Sequence, residues 1–331
     1  MGDERRCGGQ PLPEPAPFPK ARQGGRDAAT KIGVAAAILL VFAACFAAKG
    51  WMAADAPDEV ADPAGPKRIV SMAPAVTETL FALGCGDRVA GVTAFCQYPP
   101  EAAGKPRIGG LLDPNFEAVM ALRPDLVVML DGLQSAQAGF DNLRVKNLAV
   151  PLGTVDGILD AIPTLGRVCG AEKNAERIVA DIRARIARIE RKTAGLPRWR
   201  VMVTIERTLG TGGLQDVYVG GRDGYFDRII AMAGGENVYR DGLVRFPVVS
   251  AEGMLNMNPQ VVIELFSSRT AGRHADAALL ADWQQLAEIE AVRQRRVYIV
   301  REDFAFVPGP RFILLVEKFA RLVHPEVDWG S

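Results

Sequence analysis

Cysteine and histidine are scarce, with five and two residues in a chain of 331. No Cys-x-x-Cys pair occurs, and His274 and His324 stand far apart without partners at metal-ligand spacing. A disulfide-built scaffold and a His-rich transition-metal site are thereby excluded. An excess of either charge is missing too: 39 Lys and Arg face 39 Asp and Glu. That balance argues against a general nucleic-acid binder, which carries a basic surplus. No G-x-S-x-G elbow, P-loop or nicotinamide fingerprint is present, and Gly212-Gly213 and Gly220-Gly221 complete no phosphate motif. Neither histidine has an evident Ser or Cys to activate. No enzymatic activity, cofactor or metal is expected.

What is present is globular composition, 49% hydrophobic and 24% charged. The length exceeds what one hydrophobic core ordinarily supports, so two lobes are expected. Residues 1–31, rich in Gly, Pro and Arg, read as a disordered leader. Ile32 to Ala48 (IGVAAAILLVFAACFAA) then runs without charge between Lys31 and Lys49. It is short for a membrane span and long for a secretory core, and either reading sends the rest of the chain across a membrane. Phe42-Ala-Ala-Cys45 is similar to a lipobox, with Cys45 as the lipidated residue; an uncleaved anchor is the alternative. Residues 49–66 read as a tether.

Beyond it, seven apolar runs lie between turn residues: Arg68–Met72, Val89–Val92, Leu126–Leu130, Leu148–Pro151, Arg200–Ile205, Val261–Leu265 and Val297–Val300. Most are continuous rather than alternating, as in strands buried on both faces of a parallel sheet. Helical patterns separate them, and Pro163 within Val155–Val168 predicts a kinked or late-starting helix. The halves also echo each other. Glu117-Ala-Val-Met-Ala-Leu-Arg-Pro124 followed by a strand matches Glu252-Gly-Met-Leu-Asn-Met-Asn-Pro259 followed by a strand. Leu80–Val89 likewise matches Ile229–Val238, each a helix ending at Gly. Between the halves, Ala171–Thr193 lacks Gly and Pro and carries Ala175, Ile178, Ile182, Ile186 and Ile189 on one stripe. The fold expected is α/β: two αβ lobes with mainly parallel sheets, joined by one long helix, with a ligand cleft between them. The expected division is an N-terminal lobe over 67–169, a connecting helix over 170–197 and a C-terminal lobe over 198–331.

Arg68-Ile-Val-Ser-Met-Ala-Pro-Ala-Val-Thr-Glu-Thr-Leu-Phe-Ala-Leu-Gly84 opens a pattern that resembles the helical-backbone (cluster A, class III) substrate-binding proteins of ABC importers. It continues through Gly86–Thr93, Tyr98-Pro-Pro100, Asn115–Val128, Met232–Asn237, Phe246–Glu252, Asn258-Pro259 and Pro308–Arg311. That family serves vitamin B12, haem and ferric siderophores. The resemblance implies a periplasmic or extracytoplasmic monomer that captures a corrinoid, haem or ferric siderophore and delivers it to an ABC permease and its ATPase. A corrinoid ranks first, although Leu111-Leu112 stand where cobalamin-binding members carry an aromatic. A tethered sensor or scaffold of the same fold is the alternative, with a tethered enzyme a distant third.

Tyr98, Phe246, Phe304, Phe306 and Arg311 fall on loops after strands, where aromatic faces suit a large planar ligand and Arg311 suits its acidic group. Glu117 and Glu252 occupy equivalent places on the two lobes, where the family carries acids that dock onto permease arginines. Cys85 and Cys96 end adjoining elements and are candidates for a disulfide; separate buried thiols, as for Cys169, are the other reading.

Overall fold

All seven apolar runs carry strands. The computed structural model describes residues 65–222, 224–242, 244–266 and 274–330. The leader, the apolar run with Cys45, and the tether up to residue 64 lie outside the described residues. Within them, no helix is long and apolar enough to cross a membrane.

The first half contains β1 (Ile69–Ser71), α1 (Pro74–Ala82), β2 (Val89–Val92), α2 (Phe116–Ala121), β3 (Leu126–Leu130), α3 (Gln134–Asn142) and β4 (Asn147–Val150). Its four strands pair in parallel in the order β2-β1-β3-β4. Next come α4 (Val155–Cys169) and the long α5 (Glu172–Thr193). The second half holds β5 (Arg200–Thr208), β6 (Gln215–Val219), α6 (Phe226–Met232), β7 (Glu236–Asn237), β8 (Val248–Val249), α7 (Ala251–Met257), β9 (Val261–Leu265), α8 (Asp276–Asp282), α9 (Glu290–Arg293), β10 (Val297–Val300) and α10 (Phe312–Val323). Its sheet runs β10-β9-β5-β6-β8, with β7 beside β5. Only β6 pairs antiparallel, with β5 on one side and β8 on the other.

The echo extends to the backbone. Asn115 caps α2 by accepting from the Ala118 amide at 2.9 Å, and Ser250 caps α7 by accepting from Gly253 at 3.1 Å. Such a cap contributes about 1 kcal/mol. Each helix then ends at a left-handed residue directly before its proline, Arg123 at φ 47° and Asn258 at φ 41°. The second echo closes on Gly84 at φ 79° and Gly234 at φ 81°, a region glycine occupies without strain.

Helix α5 places Ala175, Ile182 and Ile189 in the core, with Ile178 and Ile186 packed against it. At ~1.5 Å per residue its 22 residues span about 33 Å. Arg185 on α5 grips Glu317 on α10 with two bonds of 2.9 and 2.7 Å. One continuous core includes Ile69 and Val128 of the first sheet and Val203 and Ile263 of the second. Leu165, Ile182, Ile229 and Phe319 lie within the same cluster. The lobes therefore share their interior.

One expectation is corrected and one open alternative is resolved. Helix α4 does not start late: Thr154 caps it by accepting from the Gly157 amide at 3.0 Å, and the helix runs on through Pro163 to Cys169. Cys85 and Cys96 are not bonded: Cys96 Sγ lies 3.1 Å from both Thr77 Oγ1 and Thr93 Oγ1, turned to its own loop.

Candidate functional site

Loops after the strands of both sheets meet in a cleft of about 400 Å³. Leu130, Leu152 and Gly153 come from the first lobe, and Ile205, Glu206, Tyr225, Phe226, Arg245, Phe246, Ala305, Phe306 and Pro308 from the second. Open αβ sheets commonly bind ligands at such carboxyl ends. Phe226 meets Tyr225 edge-on at 5.1 Å and Phe246 at 6.5 Å. Phe246 is 41% exposed and Phe306 37%, so both offer apolar faces to solvent. Arg245 stands 5.8 Å over the Phe246 ring and donates across the cleft to the Gly153 carbonyl.

The glycine pair without a phosphate motif has a packing role here. Gly221 donates its amide to the Arg245 carbonyl at 3.0 Å, and a Cβ on Gly221 would collide with the Val244 carbonyl. Buried Asn237 holds the same turn by donating to the Gly220 and Gly221 carbonyls at 3.1 and 3.2 Å. This close approach sets Arg245 and Phe246 at the rim.

The five residues expected to line one site separate into two groups. Phe246 and Phe306 line the cleft, whereas Tyr98 and Arg311 line a different recess of about 530 Å³ with Glu78 and Phe81. There Arg311 donates to Glu78 at 2.9 and 2.5 Å and to Asp303 at 3.1 and 2.9 Å. Its guanidinium lies 3.6 Å from the Tyr98 ring centre and 5.9 Å from that of Phe304. Around Arg311 this recess is a weaker ligand site, since Glu78 and Asp303 take up the guanidinium and the cation covers the tyrosine face. It is a clamp between lobes: Glu78 and Tyr98 belong to the first, and Arg311, Asp303 and Phe304 to the second.

The charges follow this packing. Burial pushes the Glu78 carboxyl above its usual range despite the bonds and charge of Arg311. Burial also opposes ionisation of Asp303, but the hydrogen bonds and charge of Arg311 carry it below its ordinary value. Burial disfavours the Arg311 cation, and the two carboxylates override it, holding its pKa up. The two-pronged geometry requires a carboxylate, so the pair is ionised near neutral pH.

Glu117 and Glu252 are exposed in the first turns of α2 and α7, and among the described residues neither joins an ion pair. His324 is wholly buried, its Nε2 3.3 Å from the Gly234 carbonyl. Among the described residues no three His, Cys, Asp or Glu side chains gather as a metal site. Arg245, Glu206 and Tyr225 escaped sequence reasoning; for Arg245 the available signal was its place beside Phe246. Phe95, 49% exposed on the loop after β2, escaped it as well.

A family model described as periplasmic binding protein matches residues 69–304. The chain belongs to the periplasmic binding protein family. Among curated relatives of this periplasmic binding protein is the uncharacterized ABC transporter substrate-binding lipoprotein YvrC of Bacillus subtilis. It is 30% identical over 272 residues, covering 79% of this chain and 81% of YvrC. The crystal structure of the vitamin B12 binding protein BtuF of Vibrio cholerae is 25% identical with a TM-score of 0.66, covering 79% of this chain and 98% of that one. The haem-binding protein RhuT of Roseiflexus sp. RS-1 is 26% identical, also at 0.66, covering 79% and 99%. The two lobes, mainly parallel sheets and long joining helix are the architecture that the cluster A resemblance implies.

Proposed function

We propose that this periplasmic binding protein is the extracytoplasmic substrate-binding component of an ABC importer, capturing a tetrapyrrole-like metal chelate in the inter-lobe cleft. The observation that carries this reading is the apolar cleft wall, with Phe246 and Phe306 half exposed beside a single cation, Arg245. Half-exposed aromatics at a concave site suit a flat ligand, and Arg245 suits an acidic substituent on its rim. A corrinoid is placed first, with haem and a ferric siderophore behind it. A corrinoid brings axial ligands of its own, whereas an iron porphyrin would take one from the protein, for which the lining offers Tyr225 but no His, Cys or Met. The curated vitamin B12-binding relatives, 28% identical in Pectobacterium carotovorum, support the same order. Glu117 and Glu252 are the proposed contacts with the permease, and Cys45 the proposed lipid attachment.

Titrating the full chain with cyanocobalamin, haemin and a ferric siderophore tests the reading. Calorimetry is the suitable readout, since the described tryptophans, Trp199, Trp283 and Trp329, all lie away from the cleft. Corrinoid binding near micromolar or tighter is expected. Preference for haemin or a siderophore would move the ligand within the class, and no binding of any of the three would overturn the function. For the ligand that binds, Phe246→Ala should raise the Kd about three- to tenfold, because stacking contributes ~0.5–1.5 kcal/mol beyond area. An unchanged Kd in a folded variant would place Phe246 outside the binding surface.

A further inference from the structure

Cys85 and Cys169 are each 1% exposed within the shared core. Cys85 ends the turn after α1, its amide bound to the Leu80 carbonyl at 2.9 Å. Cys169 is the last residue of α4 before left-handed Gly170. Arg88 donates to Cys85 Sγ at 2.9 Å and to the Pro66 carbonyl at 3.3 Å. A Cβ at Gly65 would meet both the Cys169 carbonyl, 2.8 Å away, and Arg88 Nη1, so the guanidinium that holds Cys85 Sγ also stands beside Cys169. The pair thus sits beneath the point where the described chain begins, joining the first helix of the lobe to the helix that leaves it.

We propose that Cys85 and Cys169 form a redox pair, joined as a disulfide in the oxidised protein, with Arg88 setting its poise. The acceptor is a disulfide, either of an exchange protein or of oxidised glutathione. The Cys85 thiolate attacks one acceptor sulfur, the acceptor S–S bond breaks, and the departing sulfur takes the proton of Cys169. The Cys169 thiolate then attacks Cys85 Sγ and releases the second acceptor thiolate, which is protonated by water. Two thiols are oxidised and one disulfide is reduced. The hydrogen bond from Cys169 and, against burial, the charge and hydrogen bond of Arg88 lower the Cys85 thiol to about 6. The thiol that donates, Cys169, moves up. A favoured thiolate stabilises the reduced pair, so this disulfide is easier to reduce than an ordinary buried one. Shielding confines exchange to chains whose core has opened, and Arg88 then sets the equilibrium rather than the rate.

The test equilibrates the full chain in glutathione buffers, traps free thiols by alkylation and maps unreduced peptides by mass spectrometry. A peptide pair linking Cys85 to Cys169, with Cys96 alkylated, is expected under oxidising conditions. Both cysteines alkylated throughout, or Cys85 linked to Cys96, would overturn the pairing. Arg88→Met should move the half-oxidation point about tenfold toward reducing buffer; an unmoved point would remove Arg88 from the account. Should Arg88→Met fail to fold, thermal melting of the wild type decides. The oxidised form should melt roughly 5–10 °C above the reduced form, a gap absent from the Cys85→Ser, Cys169→Ser protein. Equal melting of the two wild-type forms would count against a bond that constrains the fold.

Discussion

Arg311→Met should lower the thermal midpoint by about 10 °C at neutral pH. Glu78 is 4% exposed, and Arg311 meets it with two nitrogens. Removing one partner of a buried pair costs about 3–5 kcal/mol, because the remaining charge keeps its desolvation penalty without compensation, and each kcal/mol moves the midpoint by roughly 2–4 °C. The loss should depend on pH with a definite sign. Without Arg311, burial acts on Glu78 unopposed and raises its carboxyl further. A carboxyl raised in the folded state contributes stability below its unfolded value and loses it as pH rises through the folded one. Asp303 in the wild type behaves oppositely: held low by Arg311, it stabilises above the ordinary carboxylate range, and that contribution fades as pH falls. Both trends shrink the deficit in acid, so the variant should lie closer to wild type at about pH 5 than at pH 7.5. Glu78→Gln added to Arg311→Met should recover part of the loss. Calorimetric melting at the two pH values checks this, and a deficit equal at both would show that Glu78 is not left charged and alone.

Reversing both Glu117 and Glu252 to Lys should abolish uptake while leaving ligand affinity within about twofold. The two carboxylates stand at the same step of the echo, two residues after Asn115 and Ser250, and both face solvent. Reversal against the helix dipole costs ~0.3–1 kcal/mol per helix, too little to unfold the lobes. Where these carboxylates meet permease arginines, as proposed, reversal would place like charges in contact at both lobes, which costs several kcal/mol of association. Each single variant should fall between, since one proposed contact would remain. Stimulation of the transporter's ATPase in liposomes, beside calorimetric ligand binding, separates the cases. Normal stimulation by the double variant would reject docking through these residues, as would a defect explained wholly by lost ligand.

The strands legible in the sequence are those buried on both faces, such as Val127–Met129 and Val261–Ile263, where continuous apolar runs leave little ambiguity. Strand β6 was not legible because Gln215, Asp216 and Tyr218 face water and only Val217 and Val219 are covered. The two-residue strands β7 and β8 are too short for any period. Local chemistry carried the echo: a cap, a Glu, a left-handed turn and a proline all act within one helix. Arg311 shows where such reasoning stops. Its partner Glu78 lies 233 positions away, and a loop after a strand faces the cleft or the flank of the other lobe according to contacts that no short stretch encodes. Phe246 and Phe306 fell on one side of that choice, and Tyr98, Phe304 and Arg311 on the other.

The common interior of the two lobes bears on the thermodynamics of capture. A wide rotation of one lobe would have to part Val128, Leu165, Ile182 and Val203 from a single packed cluster, and packed interiors resist such continuous deformation. The cleft is then shaped when the chain folds rather than when a ligand arrives. On the proposed function, an empty molecule would need no wide closure to bind, and little affinity would be lost to a minority competent population. Selectivity would then come from the fit of fixed walls, and a transporter partner would tell loaded from empty protein by the ligand surface it meets at the cleft mouth rather than by a change of outline.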